Sequence, residues 1–264
     1  MTFHKKLIRF AVGGVAFLGL AASASAHYLW IERDAKSARL YFGEVAEVRE
    51  TSPGRMDEMP APNARALSKV GAPAELLVKK GPRYFSLEGA LTDQLVVTET
   101  GYVVKDWSKS GIGIVKPMFY ARHSAWPVKT AALAAPDMKL DVMPVLGVKN
   151  GFVVMFDGKP LAKNKVMLYA PNDWEKEYKT DDKGAVVMPL PWRGQYVVEV
   201  IFKEPSAGEF GGQKYEAIRH RATLTMVQPG GLSAKGTGGG VSGVPMQGEP
   251  MMGKAMTAQP MVMN

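Results

Sequence analysis

The chain of 264 residues contains no cysteine and only four histidines. The first absence removes disulfides, thiolate nucleophiles, Cys-ligated zinc and iron–sulfur clusters together. Any metal site must then use His, Met, carboxylates or backbone groups. Charge is also modest, at 22% of residues, and the basic side chains stand singly among acidic ones. They form no cluster with interleaved aromatics of the kind that grips nucleic acid, so no such partner is expected. There is no Gly-x-Ser-x-Gly and no His-Glu-x-x-His, and the run Gly236 to Gly240 lacks the Lys-Ser/Thr of a phosphate loop. These gaps argue against an ordinary hydrolase. Disorder throughout is excluded by an apolar content of 46%.

What is present begins with a leader. Lys5, Lys6 and Arg9 precede an apolar run from Phe10 to Ala22, and Ala24-Ser25-Ala26 closes it with a small-residue cleavage pattern. The run is short for a membrane span, and no Cys follows it for lipid attachment. A periplasmic protein, cleaved after Ala26 and not integral to the membrane, is expected. Removing those 26 residues with their three Lys and Arg lowers the formal charge from +8 to +5. It also makes His27 the first residue. A terminal His offers its α-amine and its imidazole Nδ1, which together close a six-membered chelate ring. Both nitrogens suit copper, nickel and cobalt, with copper favoured by the Irving–Williams order. One further His would complete a histidine brace.

Beyond His27 the pattern is all-β. Short apolar or alternating runs bounded by Gly, Pro and Asp read as antiparallel strands: Ala38–Gly43, Ala74–Lys79, Arg83–Leu87, Gln94–Lys105, Ile114–Ala121 and Lys139–Val145. The prolines in the last two suggest edges or bulges. The stretch Glu50–Gly71 reads as a long excursion with a helical turn near Asn63–Val70. From Gly147 a second set of runs (Gly151–Phe156, Lys165–Tyr169, Ala185–Leu190, Gly194–Phe202, Arg221–Val227) suggests a β-sandwich. Two antiparallel, sandwich-like domains are expected, over 27–146 and 147–229. Residues 230–264, rich in Gly and Met, read as a disordered tail.

The turns Asp157-Gly158-Lys159-Pro160-Leu161 and Thr180-Asp181-Asp182-Lys183-Gly184, followed by Gly194-Gln195-Tyr196, resemble those of transthyretin-like and carboxypeptidase-regulatory-like modules. That resemblance bears on fold, not function. A second one is broader. His27-Tyr28-Leu29-Trp30-Ile31-Glu32 after the leader, Gly101-Tyr102-Val103-Val104, and Tyr215-Glu216-Ala217-Ile218-Arg219-His220 together resemble a bacterial periplasmic family of unknown function known as a cobalt/nickel transport-associated component. The likeness spans 27–228. It implies binding or delivery of a divalent transition metal, linked to uptake, and implies no catalysis.

The expected ligands are His27 with His220 and His123. Met251, Met252 and Met256 of the tail are soft thioethers that would favour Cu(I), moving the metal from nickel or cobalt towards copper. The expected function is capture of the ion and its delivery to a membrane transporter. Two other readings share these residues. One is a copper oxidase or monooxygenase built on the same brace; the other is a structural or ligand-binding β-sandwich whose histidines are incidental. Met56-Asp57-Glu58-Met59 and Asp181-Asp182 are assigned to a surface loop and a turn.

Overall fold

The computed structural model describes residues 27–234 apart from Ala46. The leader and the tail methionines Met251, Met252 and Met256 lie outside the described residues. The first half supplies β1 (Tyr28–Arg33), β2 (Ala38–Gly43), β3 (Asn63–Leu67), β4 (Ala74–Lys80), β5 (Phe85–Glu88), β6 (Gln94–Glu99), the two-residue β7 (Lys105–Asp106) and the long β8 (Ile114–Ser124). The second half supplies β9 (Leu140–Pro144), β10 (Gly151–Phe156), β11 (Lys159–Pro160), β12 (Lys165–Tyr169), β13 (Glu175–Lys179), β14 (Ala185–Val187), β15 (Trp192–Glu204), β16 (Gly208–Phe210), β17 (Gln213–Tyr215), β18 (Ala217–Gln228) and β19 (Leu232–Ser233). The protein is all-β.

The two halves are linked through one sheet. One sheet of thirteen strands runs β1-β2-β5-β4-β3-β6-β8-β18-β15-β12-β13, with β7 added to β8 and β19 to β15. All its pairings are antiparallel except two, β8 with β18 and β15 with β19. The β8–β18 pair, in register from Val115↔Ala217 to His123↔Thr225, joins the halves through backbone hydrogen bonds. The expected boundary at Gly147 falls in the turn between β9 and β10, so β9 belongs structurally to the second half. β19 likewise takes two residues from the stretch read as tail.

Alternation decides which residues fill which core. Along β18, Ala222, Leu224 and Met226 turn one way and pack with Tyr120, Phe152, Val154 and Val198, beneath the small sheet of β9, β10, β11 and β14. The β1 end of the long sheet curls back so that β1 packs on β8 and β18. Leu29, Ile31, Leu40, Phe85, Leu95, Val97 and Phe119 fill the space inside that curl. The other face of β1 carries Tyr28 and Trp30 into a third cluster with Tyr41 and Val197. Burying a strand on both faces is what makes His27–Ile31 almost wholly apolar and aromatic.

Two local expectations are corrected. Asn63–Leu67 is a strand, because Ala64 and Ala66 face the core while Arg65 faces out, a period of two. The single helical turn of this excursion lies earlier, at Arg55–Glu58, and buries Met56. Pro117 is not at an edge, since β8 is central. It falls between the pairing of β7, which ends at Val115, and that of β6, which begins at Phe119, so no ladder bond is needed there on that side. Pro144 does sit on an edge strand. Asp157 (φ 49°) and Gly158 (φ 73°) form the tight turn expected of Asp-Gly.

Candidate metal centre

The hairpin of β1 and β2 fixes the surroundings of His27. Its register pairs Tyr28 with Gly43, so the residue before Tyr28 meets the residue after Gly43, which is Glu44. The chain then turns sharply, with the Glu44 amide donating to the Val48 carbonyl at 2.7 Å and the Glu50 amide to the Phe42 carbonyl at 2.9 Å. Gly43 permits this path. At φ +140° a Cβ would lie 2.1 Å from the Val48 oxygen. The outcome is two carboxylates beside one imidazole.

His27 Nε2 pairs with the Glu50 carboxylate, and Nδ1 is turned towards Glu44. Nδ1 is buried and has no hydrogen-bond partner, although Glu44 Oε1 stands 3.3 Å away. Burial and the neighbouring Glu47 push the Glu44 carboxyl up, against the pull of His27 and Arg221. An imidazole oriented by a carboxylate on one nitrogen, with the other nitrogen unoccupied, is the usual arrangement of a metal-binding histidine.

The backbone of the same segment is clamped. Arg221 Nη1 donates to the His27 carbonyl at 3.1 Å, and Thr223 Oγ1 to the Leu29 carbonyl at 2.7 Å. Arg221 is itself held by the buried Glu199, which also accepts from the Tyr169 hydroxyl at 2.9 Å. The guanidinium lies 4.7 Å from the centre of the Tyr28 ring. Burial and then the Glu199 charge drive the Tyr169 hydroxyl strongly upward, so it stays a donor.

The other two histidines do not join this site. His220 alternates with Arg221 on β18 and so faces the opposite core, stacked on Tyr120 and edge-on to Phe156. Its Nδ1 pairs with the Tyr120 hydroxyl at 3.0 Å and its Nε2 with Glu204 at 2.9 Å, so both ring nitrogens are occupied. Burial pushes its pKa down, opposed by Glu204. His123 shares the face of His27 but lies level with Thr225, four residues beyond Arg221. That separation is roughly 13 Å along the strands. Burial, with the Arg33 charge, pushes His123 down to about 4. A cation would meet the Arg33 guanidinium there. The expected three-histidine arrangement is therefore not assembled, and among the described residues no group of three His, Cys, Asp or Glu side chains is arranged to hold a metal.

Met56 and Met59 are core residues, and Asp181 caps its own turn by accepting from the Lys183 and Ala185 amides at 2.8 Å. Glu44, Glu50, Arg221, Glu199 and Tyr169 are the site residues that the sequence reading missed. Fold and site together define a mixed β-protein whose first described residue is a clamped, carboxylate-flanked histidine. No family model, no curated protein and no solved structure matches the chain. Among the described residues, no helix is long and apolar enough to cross a membrane.

Proposed function

We propose that the chain, once cleaved after Ala26, captures a divalent transition metal in the periplasm and passes it to a membrane transporter. Copper is the first choice of metal, followed by nickel and cobalt. The observation that carries the reading is the buried, unpartnered Nδ1 of His27 beside Glu44. The α-amine released by cleavage would supply the second nitrogen of a chelate ring, and Glu44 an oxygen. This set needs one histidine, not the three first expected. Amine, imidazole and carboxylate together suit Cu(II) and Ni(II). The resemblance to a cobalt/nickel transport-associated family agrees in metal class. All three ligands bind only when deprotonated, so acidification would release the ion.

For His220 the incidental reading is favoured, because both of its nitrogens already have partners. The test is metal analysis and calorimetry of the exported, cleaved protein beside a form with one extra residue before His27. Tight equimolar binding of Cu(II) or Ni(II) by the first and its loss in the second is expected. Equal binding by both would refute the chelate.

A further inference from the structure

Beside His27 a cavity of about 170 Å³ opens, lined by Phe42, Tyr102, Phe119, Trp107, Arg55, Glu58 and Lys105. One water needs only roughly 10–15 Å³ of such space, so a small molecule fits. The cavity is electrically polar. Its lining includes His27, whose imidazole lies against the Glu44 and Glu50 carboxylates. The same lining carries the cations of Arg55 and Lys105 together with the Glu58 carboxylate. Lys105 shares Glu58 at 2.9 Å and lies 5.1 Å from the Tyr102 ring centre, while Arg55 has no carboxylate within ion-pair distance among the described residues.

Behind Trp107, with its guanidinium 5.5 Å from the ring centre, stands the half-buried Arg219. It too has no ion-pair partner among the described residues. Burial and the like charge of Arg221 lower it to about 10. Arg55 and Arg219 have no ion-pair partner among the described residues, and Lys105 and Arg219 lie over aromatic rings; cations so placed favour an incoming anion. A bare divalent ion would be drawn to His27 and its carboxylates and repelled by Arg55 and Lys105. A metal ion carrying an organic carboxylate would satisfy both.

We propose that this cavity binds a small organic carboxylate as the co-ligand of the metal, the carboxylate meeting Arg55 and Lys105 while the ion meets His27 and Glu44. The aromatic walls would cover the carbon skeleton. The inference rests on the metal reading of His27 and adds to it the form in which the ion is taken.

The test uses the exported, cleaved protein with Cu(II), with and without malate, read by native mass spectrometry and by the electron paramagnetic resonance spectrum of the copper. A ternary protein–copper–malate complex with a spectrum distinct from that of protein–copper is expected. In the double variant Arg55→Ala with Lys105→Ala, malate should bind the copper-loaded protein about tenfold or more weakly, while Cu(II) alone binds at least as tightly as to wild type. If malate strips the copper from the protein, or joins wild type and variant alike, the carboxylate inference is overturned and the metal site stands. If Cu(II) binds in neither medium, the metal reading itself fails.

Discussion

Removing the Arg221 side chain should reveal how the segment at His27 is held. Arg221 and Glu199 are 4% and 3% exposed at their side chains, so the pair is fully desolvated. Arg221→Ala leaves the Glu199 carboxylate buried with only the Tyr169 hydroxyl, and strips the His27 carbonyl of its donor. Breaking one side of a buried ion pair costs about 3–5 kcal/mol. At roughly 2–4 °C per kcal/mol for a chain of this size, the melting temperature should fall by roughly 6–20 °C. Thermal and urea unfolding followed by circular dichroism would measure it.

The informative control replaces the whole network with apolar groups. In Arg221→Met, Glu199→Leu, Tyr169→Phe, no buried charge or hydroxyl of the network is left alone. Such replacements are commonly neutral or stabilising, so the triple variant should recover to within about 2 kcal/mol of wild type. If the proposed metal reading holds, it should still bind metal more weakly, since the His27 carbonyl has lost its Arg221 donor. A single variant within about 1 kcal/mol of wild type would refute the clamp, as would a triple variant no more stable than the single one.

His220→Ala should cost about 2–4 kcal/mol, through the cavity and the abandoned Tyr120 hydroxyl, and leave metal stoichiometry unchanged; loss of the metal would return His220 to the site. Glu99 is raised to about 6 by burial. A raised carboxyl contributes stability that is full below its unfolded value of 4.5 and is lost as pH rises through about 6, so Glu99→Gln should gain on wild type by roughly 2 kcal/mol across that window; a pH-independent difference in urea unfolding would count against it. His123 is lowered to about 4, so its contribution is full above the unfolded value of 6.5 and fades as pH falls towards 4. Its imidazole should remain neutral at pH 5.5 by nuclear magnetic resonance, and a midpoint above 6 would show that it is not buried as described. Gly43→Ala should destabilise by about 3 kcal/mol and weaken metal binding, because the turn carrying Glu44 cannot close around a Cβ; a fully stable variant would mean another path for residues 44–49.

Much of the strand inventory was legible because its signal is local. Ala38–Gly43, Gly151–Phe156 and Lys165–Tyr169 alternate between Gly, Pro and Asp boundaries, and the structure has strands with those bounds. Asn63–Leu67 was misread because alanines carry a helical propensity that pairing with β4 and β6 overrides. The single continuous sheet was not legible, since a parallel pairing between residues about a hundred positions apart leaves no local trace.

The same distinction runs through the site. His27 could be found from the leader alone, and Glu44 follows once β1 and β2 are read as a hairpin turning at Asp34–Ser37, because that register puts 27 opposite 44. Glu50 depends on a loop, and Arg221 and Glu199 on long-range packing, so no spacing in the chain announces them. His220 shows the converse error. Its position in a matching segment argued for a ligand, but alternation along β18 turns consecutive residues to opposite faces, and Arg221 is the one that faces His27. One residue of register separates a side chain that holds the His27 backbone from one sealed in the opposite core.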